Sequence, residues 1–266
     1  MTEGPEPGDA SLEEHPAAEE GTDESPQPRR LTQPRQPRRT TGLLVAVRET
    51  VVVVGIALVL SLLVKTFLVQ AFYIPSVSME STLDVGDRVV VSKLTPGPFH
   101  LQRGDVIVFT DPGGWLDPTP PPDDGPVRKA LRSALTFVGL LPEDSNNHLI
   151  KRLIGLPGDH VVCCDAQGRL SINGRAVNEP YVFDGNVPSE RQFDITVPPG
   201  RVWVMGDHRQ MSSDSRYHDD GHGNTGSVPI ADVTGRAFVI VWPFNRLSSL
   251  PRYSSTFDDV PPPRAP

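Results

Sequence analysis

His148-Leu149-Ile150-Lys151-Arg152-Leu153-Ile154-Gly155-Leu156-Pro157-Gly158-Asp159 is an apolar run broken by two adjacent cations and closed by a glycine-proline turn signal. On a strand, neighbouring side chains face opposite ways, so one of Lys151 and Arg152 points towards the interior side. Burial disfavours an ammonium, and a buried lysine therefore loses its proton near neutral pH and can act as a base. The same pattern also suits an edge strand with two solvated charges.

Working outward from this run, short β-branched segments bounded by Gly or Pro recur at residues 87–93 (DRVVVSK), 105–109 (DVIVF), 202–205 (VWVM) and 237–242 (AFVIVW). Residues 169–172 and 176–177 flank Asn173-Gly174, a strong hairpin-turn signal. The residues alone therefore predict a mainly β chain. Residues 111–147 interrupt the pattern with a Pro/Gly loop followed by a helical run, 127–141. There Leu131, Ala134, Leu135 and Val138 share a face, with Arg128, Lys129 and Arg132 nearby. Such a basic amphipathic helix can rest on a membrane surface, although packing on its own domain is the more common use.

The 266-residue chain is uneven from end to end. Residues 1–42 are rich in Glu, Pro, Ser and Gly and are expected to be disordered, acidic at first and then basic from Arg29 to Arg39. Residues 43–72 are apolar, with no charge between Val51 and Val64, and are expected to span a bilayer as a retained anchor. A cleaved signal is the alternative, suggested by Val69-Gln70-Ala71, but the apolar run is long for one. Arginines before the segment predict a cytoplasmic N-terminus and an extracytoplasmic domain from residue 73 to 250. Residues 251–266 are rich in Ser, Asp and Pro and are expected to be disordered. The net charge of −8, with no basic stripe in the folded region, argues against a nucleic-acid partner. Cys163 and Cys164 are adjacent, a spacing poor for a mutual disulfide and for zinc. They are expected to be small strand residues, one facing in and one out.

Two further stretches put reactive residues among backbone-shaping ones. In Ile74-Pro75-Ser76-Val77-Ser78-Met79-Glu80-Ser81-Thr82-Leu83, two serines follow a proline that extends the backbone before it. A serine hydroxyl becomes a nucleophile only when a neighbouring base takes its proton. In Met205-Gly206-Asp207-His208-Arg209-Gln210-Met211-Ser212-Ser213-Asp214-Ser215-Arg216, opposite charges and small residues crowd a loop. That loop suits either a solvated turn or a hydrogen-bonded network holding another site. A His208–Asp214 triad is a weaker option, since a triad is defined by geometry.

The three stretches, in this order and after an anchor, resemble the type I signal peptidases of bacteria. The resemblance runs from about residue 67 to 250 and includes Val85-Gly86-Asp87, Arg103-Gly104-Asp105 and Trp242-Pro243-Phe244-Asn245-Arg246. It implies a single-pass membrane protein with an antiparallel β catalytic domain and a smaller β insertion near residues 158–199. This is the fold class that also holds self-cleaving repressors of the LexA-like type. It implies Ser78 as nucleophile and Lys151 as general base. Ser76 and the Ser78 N–H would form the oxyanion hole, and Ser212 would bond the Lys151 amine. Asp214, Arg216, Gly206, Asp207 and Arg152 would support the loop and the strand. Met79, Leu149 and Ile150 are candidate apolar walls for the lysine. The implied substrates are exported precursors carrying signal peptides, with small residues at −1 and −3 before the cut; the chemistry needs no cofactor. The family often has Pro where this chain has Ser81, and Asp-Asn where it has Gln210-Met211. A different Ser–Lys protease, or a membrane-anchored β domain that binds translocated chains without cutting them, remains the alternative.

Overall fold

The computed structural model describes residues 40–117, 125–137 and 147–263. Of the expected disorder of residues 1–42, residues 1–39 lie outside the described residues, as do 264–266 and the end of the expected helix beyond residue 137; residues 40–42 are instead helical.

Helix α1 runs Thr40–Phe67. Within its stretch Val45–Phe67 an 18-residue run reaches a mean hydropathy of 2.4, and none of that run is buried. Val53 and Ile56, each more than 60% exposed, are typical of side chains that no protein covers. A helix that is apolar all round, and of this length, suits a bilayer span. The span stops short of the expected Phe72. Leu68 closes the helix by donating to the Val64 carbonyl, and strand β1 (Val69–Tyr73) follows at once. Alternation explains the switch: Gln70 and Phe72 turn inward while β1 pairs antiparallel with β2 (Arg88–Ser92), Val69 opposite Ser92 and Tyr73 opposite Arg88.

The remaining strands are β3 (Val106–Thr110), β4 (His148–Gly155), β5 (His160–Cys163), β6 (Leu170–Ile172), β7 (Arg175–Ala176), β8 (Phe193–Thr196), β9 (Arg201–Met205), β10 (Val228–Pro229), β11 (Val233–Trp242) and β12 (Ser248–Ser249). Helices α2 (Pro126–Phe137) and α3 (Ser215–His218) complete the regular elements used below. The larger sheet has the order β1-β2-β11-β3-β4-β9-β10, with β12 on β11, and every pairing is antiparallel. A second sheet, β7-β6-β5-β8, is also antiparallel. Asn173 and Gly174, both at positive φ (54° and 82°), make the tight turn between β6 and β7.

β4 lies in the interior of the larger sheet, between β3 and β9, which rules out the solvated-edge alternative for Lys151 and Arg152. Both faces of this region are packed. Ile107, Leu149 and Leu153 join Val202, Val204 and Val233 on one side. Val106, Val108 and Ile150 join Phe72, Met79 and Ile240 on the other. Further along, Ile154, Trp203 and Met205 pack into the core of the second sheet with Val161, Ile172 and Ile195. At that junction Gly155 has no room for a side chain: a Cβ there would lie 2.9 Å from a Val197 methyl and 3.0 Å from a Val161 methyl.

Two expectations are corrected. The tail is ordered from residue 251 through Pro263, because two of its few apolar residues, Phe257 and Val260, are buried in the core of the second sheet. Arg252 bonds Asp105, and the Asn173 amide donates to the Pro261 carbonyl. Cys163 and Cys164 are joined as a vicinal disulfide across a cis peptide bond, their Cα atoms 2.9 Å apart, rather than standing free on opposite faces.

Candidate active site

The three stretches singled out in the sequence converge. Pro75 leads into an extended Ser76 (φ −125°, ψ 155°), and a single 3-10 turn, Val77–Met79, follows. Met79 and Leu83, both fully buried, pin this turn to the core. Ser78 is thereby held 5% exposed, and Lys151 on β4 is equally buried. The Lys151 Nζ donates to Ser78 Oγ at 2.7 Å, and Ser76 Oγ lies 3.2 Å from the same hydroxyl. Ile107 sits opposite Lys151 across β3–β4. Leu149 shares that face by alternation, whereas Ile150, expected as a wall of the lysine, packs opposite Val108 on the other face.

Burial pushes the Lys151 pKa down to about 8, although Asp214 and Asp207 pull it up; the Arg216 charge adds to the lowering. Desolvation wins here because a charged amine loses its hydration in a dry site while the carboxylates already have closer partners.

Those carboxylates sit in the third stretch. Asp214 receives both Arg216 Nε and Nη2 at 2.8 Å, the Ser212 hydroxyl at 2.7 Å and the Gly206 N–H at 2.9 Å. Burial raises the Asp214 pKa, but the bonds and charge of Arg216, with those from Gly206 and Ser212, hold it below the usual carboxylate value. The expected bond from Ser212 to Lys151 is not formed. The one Ser212 hydroxyl proton goes to Asp214, and the bond Lys151 donates is to Ser78. Gly206 is packed so closely that a Cβ would collide with Ser212 Oγ and the Ser78 carbonyl. Asp214 and His208 do not form a triad: the His208 ring pairs with Glu80 at 3.1 Å and stacks on Phe183. Its backbone N–H instead holds the Ser78 carbonyl at 3.1 Å.

Arg152 points to the face opposite Lys151 and is also fully buried; the sequence had required only one of the two to face inward. Its guanidinium grips Asp207 with two bonds of 2.8 and 2.6 Å and donates to the Gly104 carbonyl and to Thr82 Oγ1. It lies 4.2 Å above the Tyr181 ring. Thr82 closes a triangle by donating to Asp207 at 2.6 Å. The strand of the lysine, the turn of the serine and the loop after β9 thus meet on one ion pair.

Sequence inspection did not single out Thr82, Glu80, Arg209, Glu179 or Tyr181. Arg209 is buried, bonded twice to Glu179 and once to the Gly206 carbonyl, and Tyr181 donates to the same carboxylate. Glu179 and Tyr181 come from the second-sheet region, and only tertiary folding brings them to this loop. Among the described residues, no cluster of three or more His, Cys, Asp or Glu could hold a metal ion.

Over residues 47–242 the sequence matches the family described as signal peptidase, peptidase S26. It is 39% identical over 235 residues to the signal peptidase I of Mycobacterium tuberculosis, covering 80% of this chain and 77% of that one. A probable signal peptidase I of Mycobacterium leprae is 37% identical over 227 residues, 76% of this chain and 78% of the relative. The signal peptidase I of Leptolyngbya laminosa is 34% identical over 218 residues, with 81% and 87% covered.

Proposed function

This chain belongs to the signal peptidase family, peptidase S26, and from that premise we propose that Ser78 is its nucleophile and Lys151 its general base. The protein is a serine endopeptidase that acts on signal-peptide-bearing precursors. The observation that carries the dyad is the 2.7 Å approach of Lys151 Nζ to Ser78 Oγ in a buried setting that lowers the lysine pKa to about 8. Once neutral, the amine accepts the Ser78 proton as Oγ attacks the scissile carbonyl carbon. The new oxyanion is met by the Ser76 hydroxyl and the Ser78 N–H, donors of the kind that stabilise charge only as it develops. Lys151 then passes the proton to the departing amine, the C–N bond breaks, and water releases the acyl group from Ser78 by the same route in reverse. Asp214, Arg216, Ser212, Gly206, Asp207 and Arg152 act through the lysine and the serine turn, as positioning residues.

The preferred cut follows small residues at −1 and −3, as in Ala-x-Ala. Helix α1 is the anchor, with the N-terminus cytoplasmic and the β domain outside, in line with the arginines that precede the helix. β1 begins two residues beyond the helix, so the β domain stays close to the bilayer that holds its substrates.

The test is cleavage, in detergent, of a precursor whose signal ends in Ala-x-Ala. Wild type is expected to cut after the second Ala, and Ser78→Ala and Lys151→Arg to be inactive, the latter because guanidinium keeps its proton. Cleavage by Ser78→Ala at the wild-type rate, or retained activity in Lys151→Arg, would overturn the dyad.

A further inference from the structure

Among the described side chains of helix α2, none of the apolar ones belongs to the three cores, and Leu135 is half-buried. Val127 is 79% exposed and Leu131 59%, contrary to the expectation that the helix packs on its own domain. At about 100° per residue, Ala130, Ala134, Val127, Leu131 and Leu135 fall on one arc of the helix. Arg128 and Lys129 fall on the other, and the helix sequence contains no acidic residue. An apolar stripe with Arg128 along one edge, Ser133 and then Lys129 beyond the other, and no acid on the helix is complementary to acyl chains beneath anionic headgroups.

The sheet register says where such a surface would be met. Val69, the first residue of β1, lies in one row with Ser92, Arg236, Ile107 and Lys151. Thr110 and His148, between which the segment bearing α2 is inserted, pair three residues further along β3 and β4. They lie on the side of that row from which β1 enters after α1, because β1 runs away from it towards Tyr73 and Arg88. The insertion therefore leaves the sheet at the end where the membrane anchor arrives.

We propose that α2 lies in the plane of an anionic bilayer surface, with Val127, Leu131 and Leu135 among the acyl chains and Arg128 and Lys129 at the headgroups. It is a second membrane contact of the anchored chain. The inference rests on α1 being a bilayer anchor; given that tether, a weak amphipathic helix binds at high effective concentration. Two contacts restrict the rocking of the β domain about the short link at Leu68 and hold the row of Lys151 at a set height above the lipid.

The experiment is backbone hydrogen exchange of the full chain in lipid nanodiscs of phosphatidylcholine alone, of phosphatidylcholine with phosphatidylglycerol, and in detergent. Amides of residues 127–135 are expected to exchange about tenfold more slowly in the anionic discs than in the neutral ones. Leu131→Glu, and separately Arg128→Glu with Lys129→Glu, are expected to remove that protection while cleavage of a soluble peptide substrate stays at the wild-type rate. Equal exchange in both discs would overturn the proposal. So would protection that persists in detergent or rises with protein concentration, since a protein face would then cover the helix. Failure of the anchor is a separate observation: a chain that elutes free of the discs overturns both readings, whereas one retained without protection overturns α2 docking alone.

Discussion

As the proposed base, Lys151 has to be uncharged to act, and burial makes it expensive to keep charged where it lies. Its pKa, lowered to about 8 chiefly by burial, leaves the amine mostly protonated at neutral pH. Cleavage is therefore expected to rise with pH through about 8, falling close to tenfold per unit on the acid side; a rate flat from pH 6 to 9 would contradict Lys151 as the base. The stability sign runs the opposite way from a salt-bridged lysine. A folded pKa below the unfolded value of 10.5 means the folded state resists the charge, with the full penalty below about pH 8 and none above about 10.5. Lys151→Met is thus expected to be inactive yet more stable than wild type at pH 7, by up to about 3 kcal/mol. Urea unfolding from pH 7 to 10.5 should show that gap closing as pH rises. Ser81 carries a second local cost. Its φ of 91° is one that L residues rarely adopt and that proline cannot reach. Proline could not replace Ser81 without a change in the backbone of the turn after Ser78. Ser81→Gly should raise stability by about 1 kcal/mol and Ser81→Pro should lower it, both measured by thermal unfolding.

At the level of elements, the site is made where β4, the end of β9 and the serine turn touch, and Gly206 is the tightest point of that contact. A methyl group there would displace Ser212 Oγ and the Ser78 carbonyl together, while the N–H of the same residue holds Asp214. Gly206→Ala is expected to lower kcat by about a hundredfold or more with a smaller change in KM, because reacting groups misplaced by an ångström lose their alignment. Steady-state kinetics separate this from a substrate-binding defect. The strands were legible in sequence because β-branched runs bounded by Gly and Pro carry a local signal, and residues 87–93, 105–109, 202–205 and 237–242 each coincide with a strand. The two stretches that meet at Ser78 and Lys151 were legible because the motifs around them are local too. Glu179, Tyr181 and Arg209 were not: their value lies in a buried ion pair between residues 30 apart in sequence, and no spacing rule reports such a meeting. The partner of the Ser212 hydroxyl, Asp214, was likewise set by how the loop folds, which sequence does not carry.

For the whole molecule, the boundaries matter more than the composition suggests. Sequence put the anchor's end at residue 72 and an unfolded tail from residue 251, because β1 reads as a continuation of the apolar run and the tail is mostly Ser, Asp and Pro. Both segments are structural. Phe72, 2% exposed, is part of the core against which Met79 is packed, and Phe257 and Val260 close the core of the second sheet. The tail also carries Arg252, bonded at 2.9 Å to Asp105, a buried carboxylate whose pKa burial raises despite the bonds and charges of Gln102, Arg252 and Arg236. A chain starting at Leu68 is therefore expected to keep the melting temperature of the full-length β domain. One starting at Ile74 loses β1 and the Phe72 packing, and should unfold at least 10 °C lower or aggregate, given the roughly 3–5 kcal/mol that a buried Phe contributes. Ending the chain at Leu250 should cost a similar amount through Phe257 and Val260, and should add an acid-side effect of definite sign. Without Arg252, Asp105 keeps the Gln102 N–H but its nearest cation is the more distant Arg236, at 3.8 Å, and its folded pKa climbs further. A raised carboxylate pKa makes the folded state bind the proton more tightly than the unfolded chain does. The deficit of the truncated chain should therefore be smaller below the folded pKa, where Asp105 is neutral, and larger as pH rises through it. Melting curves of full-length and truncated chains between pH 4 and 8 test this directly: a deficit independent of pH would assign the tail's contribution to apolar packing alone, and no deficit at all would mean that residues 251–263 lie on the domain without stabilising it.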